Sequence, residues 1–255
     1  MTTTRPNGSL YTKIENKIAT IEFGHPASNS FPSELLERLA NKLDELSNND
    51  EVAVVVLKSE GYRAFCAGAS FDELVAIDNL VDGKSFFSGF ANVINAMRTC
   101  TKLIVGRVQG KTVGGGVGLA AACDYVLATE HAAIKLSEFT IGIGPFVIAP
   151  AVKRKVGVSG LAELTLDATS WKSAYWAKEK GLYARVFENI EELDKEVEIF
   201  TEKLASYNPE ALDEMKKALW IGTENWDTLL IERAETSGKL VLSDFTKNAL
   251  KKFKS

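Results

Sequence analysis

Histidine and cysteine are scarce in this chain, with two His and three Cys among 255 residues. Cys66, Cys100 and Cys123 stand far apart, with no CxxC pair and no histidine beside any of them. A zinc site or a disulfide framework needs closely spaced ligands or an even, patterned set of cysteines, so no metal and no disulfide scaffold is expected. No run approaches the ~18 consecutive apolar residues that signal a membrane-spanning helix. The opening MTTTRPNGSLYTK carries no apolar signal core. These absences point to the cytoplasm, with no membrane partner. Positive charge is not in excess either: the formal net charge is −4, and the cluster Lys153-Arg154-Lys155 sits among apolar residues. Nucleic acid is therefore not the expected partner.

What is present is the balance of an ordinary globular protein, 45% hydrophobic and 25% charged. The length suits one large domain, or one domain with an appendage. Leu10–Ile14 and Ile18–Phe23 read as a strand pair joined at Glu15-Asn16-Lys17. Leu35, Leu36, Leu39, Leu43 and Leu46 then recur at helical spacing, with Ser33 as the expected cap. Ala53–Lys58 and Leu103–Val108 are near-continuous apolar runs, as strands covered on both faces require. A helix is expected over Lys84–Arg98 and a further strand over Asp124–Ala128. From about residue 147 helices dominate: Val147–Val156, Ser159–Thr165, Lys172–Lys178, Glu191–Ala205, Glu210–Ala218, Glu224–Leu240 and Asp244–Phe253. Strands alternating with helices, then a helical tail, give an α/β fold with right-handed crossovers.

Three segments carry the chemistry. In Phe65-Cys66-Ala67-Gly68-Ala69-Ser70 the small residues let backbone amides approach a ligand, although a tight turn needs Gly68 equally. In Gly114-Gly115-Gly116-Val117-Gly118, four glycines open an Ala-rich helix at a cost in helix propensity. A helix N-terminus offers unpaired N–H groups to an oxygen bearing negative charge. The spacing is not GxGxxG, which disfavours a dinucleotide site, and close helix packing is the other reading. In Ser137-Glu138-Phe139 a carboxylate lies amid Ile134, Leu136, Phe139 and Ile141. Desolvation there raises its pKa toward values useful for proton transfer, unless the side chain is simply exposed or capping. Two amide donors and one base together suit proton transfer beside a thioester carbonyl.

The order and spacing of FCAGAS, VQGKTVGGGVGLAAACD and SEFTIGIGP resemble the enoyl-CoA hydratase/isomerase (crotonase) family over nearly the whole chain. The resemblance implies a spiral of ββα units over residues 1–190 and a C-terminal helical trimerisation region over 191–255, in homotrimers often paired into hexamers. It makes the Ala69 and Gly115 amides the oxyanion donors and Glu138 the acid/base. The substrate is implied to be an acyl-CoA thioester, with no separate cofactor. Arg63 is a candidate contact to phosphate or adenine of CoA, a solvated loop arginine being the alternative, and Ala67 and Gly68 would border the CoA. Lys251, Lys252, Phe253 and Lys254 end an amphipathic helix with a solvated basic face, and reach toward a neighbouring subunit's CoA in the family.

The departures are informative. Hydratases of the family usually carry a further glutamate two residues past the glycine triple, where this chain has Gly118. The usual aspartate after the loop alanine is Ser70, and Phe146-Val147 follow the proline. The pattern is most like bacterial 3-methylglutaconyl-CoA hydratases of leucine breakdown, which makes hydration of that substrate the first expectation. Alternatives are a Δ3,Δ2-enoyl-CoA isomerase, a glutaconyl-type decarboxylase, or a catalytically silent scaffold or RNA-binding family member. Phe146, Val147 and the helix Phe86–Met97 are expected to shape the acyl pocket.

Overall fold

The structure is a computed structural model that describes residues 7–254. The chain opens with β1 (Ser9–Glu15) and β2 (Ile18–Gly24), an antiparallel pair. Asn16 and Lys17 turn between them at φ 50° and 64°, the left-handed geometry that matches strand twist in a two-residue hairpin. Helix α1 (Ser33–Ser47) buries the leucines at helical spacing, each contributing about 1.5–3 kcal/mol. Ser33 is not its cap. It is the first helical residue after Pro32, and its amide and hydroxyl donate to Glu73 instead.

Three rounds of chain then follow, each laying one strand in a large sheet and one in a small sheet. The first round is β3 (Val54–Ser59), β4 (Ala64–Cys66), α2 (Phe71–Ala76) and α3 (Leu80–Thr99). The second is β5 (Leu103–Val108), β6 (Lys111–Val113) and α4 (Gly115–Ala122). The third is β7 (Tyr125–Thr129), β8 (Ile134–Lys135) and a single 3-10 turn, Glu138–Ile141. The large sheet runs β1-β2-β3-β5-β7-β9, where β9 is Arg185–Phe187, and it is parallel from β2 onward. The small sheet is β4-β6-β8, also parallel. This is the ββα spiral of the crotonase fold.

The helical half continues with α5 (Ala149–Leu166), α6 (Ala174–Glu179), α7 (Ile190–Ala205), α8 (Pro209–Leu219), α9 (Trp226–Val241) and α10 (Asp244–Lys254). The two helices expected over Val147–Thr165 are two segments of α5, broken at Gly157. The apolar runs are explained by burial on both sides. Val55 and Leu57 face the main core, whereas Val54, Val56, Val105 and Leu127 pack against Leu193 and Val197 of α7. Helix α9 lies on α3 with almost no space between backbones: a Cβ on Gly83 would stand 2.9 Å from the Gly238 carbonyl oxygen.

Helix α8 is tied to the sheet by a buried charge pair. Lys216 Nζ lies 2.7 Å from Asp124 Oδ2, with both side chains 3% exposed, and also donates to the Met97 carbonyl at 2.8 Å. Asp124 further accepts from Ile104 N–H and Trp220 Nε1–H, both at 2.7 Å. Both members thus have hydrogen-bond partners beyond each other, and removing one member leaves an uncompensated buried charge. Lys216→Met is expected to cost about 3–5 kcal/mol in urea denaturation. A loss below about 1 kcal/mol would mean that water reaches Asp124 in solution.

Candidate active site

The site forms where the two sheets hand over to α2 and α4. After β4, Gly68 turns the chain at φ 91°, and its own amide donates to Cys66 Sγ at 3.3 Å. Phe31 N–H then donates to the Gly68 carbonyl at 2.8 Å, and Ser70 N–H donates to the Phe31 carbonyl at 2.9 Å. In that strand-like pairing the residue between, Ala69, directs its own amide away from Phe31. Ser70 caps α2, its hydroxyl accepting from Glu73 N–H at 3.4 Å. The residue standing at the family's aspartate position therefore begins a helix.

After β6, Gly114 takes φ 53° and ψ −122°, a conformation open only to glycine, and α4 starts at Gly115. The Gly115 amide is the first of that helix and has no intrahelical acceptor. The two loops touch, since a Cβ on Gly68 would stand 3.5 Å from the Gly115 nitrogen. Gly116 packs so closely on Cys66 that a Cβ there would fall 2.6 Å from the Cys66 Cβ. Glycine is needed at these positions for close approach as well as for turning.

Glu138 begins the 3-10 turn after β8. A Cβ on Gly114 would lie 3.0 Å from Glu138 Oε1, so the bare Gly114 backbone makes room for the carboxylate beside the start of α4. Oε2 is buried and has no hydrogen-bond partner among the described residues. Burial pushes the carboxyl up from 4.5 to about 7, its own backbone amide pulling slightly the other way. The turn is braced from outside, where Gly142 packs directly against Phe245 and Thr246 of α10.

Ala67, Gly68, Ala69, Gly115 and Glu138 all line one cavity of about 180 Å³. Its remaining wall includes Leu74, Phe86, Phe87, Phe90, Phe146 and Ile148. Phe86, Phe146 and Val147 line it as the sequence reading expects. Among the described residues, Ser137 and Ser237 are the polar residues of the lining besides Glu138, and no Lys, Arg or His belongs to it. Ser237 escapes sequence reasoning because it sits in the ordinary helical pattern of α9, far along the chain from the glycine motifs. Arg63 is exposed and lies outside the lining, its carbonyl accepting from Lys111 N–H at 3.2 Å. Lys252 is exposed, and the side chains of Phe253 and Lys254 lie outside the described residues.

Gly118 stands where hydratases of the family are expected to carry a further glutamate. It is buried, and a Cβ there would collide with the Ile148 side chain. The space beside residue 118 is filled with hydrocarbon, and among the described residues Glu138 is the one carboxyl-bearing residue of the cavity lining.

The chain's likenesses agree with this geometry. The family described as Enoyl-CoA hydratase/isomerase matches residues 13–252. A short-chain-enoyl-CoA hydratase of Clostridium acetobutylicum is 29% identical over 242 residues, covering 94% of this chain and 92% of that protein. The mitochondrial methylglutaconyl-CoA hydratase of Mus musculus is 30% identical over 167 residues, covering 65% of this chain and 52% of that protein. The crystal structure of an enoyl-CoA hydratase from Bacillus halodurans shares the fold at a TM-score of 0.88, with 22% identity and coverage of 95% and 99%. With the motifs, the spiral and the matched span in agreement, this chain belongs to the enoyl-CoA hydratase/isomerase family of enzymes.

Proposed function

We infer that the enzyme hydrates a short 2-enoyl-CoA, with Glu138 as its one acid/base and the Ala69 and Gly115 amides as its oxyanion hole. The observation that carries this reading is that one desolvated carboxyl shares a single apolar cavity with Ala69 and Gly115, whose amides have no backbone hydrogen-bond acceptor among the described residues. Glu138 takes a proton from water as the oxygen attacks C3, and the enolate oxygen is held between the two amides. The same carboxyl returns its proton to C2. No cofactor beyond the thioester is needed. Isomerisation uses the same parts, with Glu138 moving a proton between C2 and C4. The hydrocarbon around Gly118 and Ile148 favours it as a second reading, because nothing there helps to hold water.

The acyl group is the open choice. The sequence pattern favours 3-methylglutaconyl-CoA, and the partial match to the mouse hydratase supports it. Against this, a second carboxylate would enter a wall with no cation, and an unpaired buried carboxylate costs several kcal/mol. Crotonyl-CoA is therefore the better expected substrate. Loss of enoyl-thioester absorbance, with products identified by mass, is expected to show kcat/KM about a hundredfold higher for crotonyl-CoA. Faster hydration of the branched diacid would restore the first expectation, and conversion of a 3-enoyl-CoA alone would put isomerisation first.

Assembly as trimers or paired trimers is part of this proposal, with residues 191–255 contributing to the contacts. An apolar outer cleft supports it: Val158 is 65% exposed, Leu166 78% and Ile221 77%. Three buried free thiols support a reducing, cytoplasmic setting. Sedimentation as a monomer at micromolar concentration would count against the assembly.

A further inference from the structure

Ser237 is the one residue that α9 contributes to the cavity lining, and its hydroxyl is anomalous. A serine or threonine inside a helix ordinarily donates to a carbonyl three or four residues back. Thr236, its immediate neighbour, does so to Glu232 at 3.0 Å, and Ser88 of α3 does so to Lys84 at 2.7 Å. Ser237 does not. The residue is 1% exposed, and its hydroxyl is buried with no hydrogen-bond partner among the described residues. A buried hydroxyl left unpaired is costly, and such a group in a native cavity calls for a specific explanation.

Its position in the cavity is set by the fold. Val241, one turn further along the same face of α9, packs in a cluster with Leu74, Phe86 and Ile143. Those three residues also wall the cavity, so Ser237 belongs to the Leu74–Phe86–Ile143 end of the space. The close approach at Gly83 and Gly238 fixes the backbone immediately beside it. The cavity, about 180 Å³, is similar in scale to the ~150 Å³ hydrophobic cavity that accepts benzene, which suits a short acyl chain.

We propose that Ser237 is a specificity-determining residue, reading an uncharged hydrogen-bonding oxygen, such as a keto or hydroxyl group, near the far end of a short acyl chain. This rests on the acyl-CoA reading above and adds the substrate class. A single hydroxyl among phenylalanines satisfies a neutral oxygen but does not offset the desolvation of a carboxylate. The same wall therefore rejects charged acyl ends and accepts polar neutral ones.

Saturated thioesters test this without depending on which reaction the enzyme performs. Calorimetric titration is expected to show 4-oxopentanoyl-CoA binding about tenfold more tightly than pentanoyl-CoA, as one good hydrogen bond provides. Glutaryl-CoA should bind more weakly than either. In Ser237→Ala the two neutral affinities converge, while the melting temperature rises because an unpaired buried hydroxyl has been removed. Equal affinities in the unmodified protein, or a keto preference that survives Ser237→Ala, would overturn the assignment. Tightest binding of glutaryl-CoA would overturn the neutral-chain requirement. Failure of all three thioesters to bind would remove the acyl-CoA reading itself, a different result from loss of discrimination.

Discussion

Glu138→Gln is expected to leave a folded protein whose turnover of a 2-enoyl-CoA falls by about 10²–10⁴. Gln keeps the size and the polar tip of the side chain but neither accepts nor returns a proton at working pH. With Gly118 and Ile148 where a second carboxylate would be, no other acid in the cavity takes over. The unmodified enzyme should show kcat/KM rising with pH through about 7, because water activation needs the carboxylate form and burial has raised this carboxyl from 4.5 to about 7. The Gln variant should lose that limb. Activity within a few-fold of the unmodified enzyme would place the base elsewhere.

The same raised pKa has a stability consequence of opposite direction. Between pH 4.5 and about 7 the folded chain holds a proton on Glu138 that the unfolded chain has released. Stability therefore falls as pH rises across that window, by on the order of 3 kcal/mol in total. Gln carries no such penalty. Glu138→Gln should melt several degrees higher than the unmodified protein at pH 8 and no differently at pH 4. Coincident melting curves at both values would mean that the carboxylate is well hydrated in the folded state.

Removing the Gly115 amide should cost about 10²–10³ in kcat. The donor is a backbone group, so the substitution must delete N–H while sparing the helix. Proline does this at the first position of a helix, where no intrahelical bond is lost. Any side chain at 115 collides with the ring of Phe90, so the comparison belongs in a Phe90→Leu background. There, Gly115→Ala adds a Cβ and keeps the donor, whereas Gly115→Pro removes it. A kcat for the proline variant well below that of the alanine variant, with similar melting temperatures, assigns the loss to the amide. Equal rates would mean that Gly115 serves close packing alone.

Legibility in the sequence follows physical scale. Leu103–Val108 is legible because a strand buried on both faces is apolar at nearly every position, the exception being Arg107, which pairs with Asp194, and α1 is legible because its leucines keep helical period. The strands β4, β6, β8 and β9 are two or three residues long, too short for any alternation to register. Glu138 stood out as a charge among apolar neighbours, and the glycines as a cost that helix propensity alone does not justify. Ser33 fitted the local rule for a cap, but Glu73, distant in sequence, binds it instead. Arg63 is exposed and outside the cavity lining, a placement set by the path into β4 that no local pattern encodes, and its contact to CoA phosphate or adenine stays an expectation. Ser237 was invisible because its meaning depends on α9 crossing α3.

The contact between Gly118 and Ile148 also constrains how this enzyme can change by descent. A single replacement introducing glutamate at 118 drives an unpaired acid into a space already occupied, and the chain that carries it is destabilised before any benefit appears. The reverse order, emptying position 148 first, leaves a core cavity whose cost for Ile→Ala is about 2–5 kcal/mol, a large share of a typical protein's whole stability. Either single step lowers stability, and the paired change avoids both costs. The isoleucine therefore acts as a latch against a second carboxyl group at position 118.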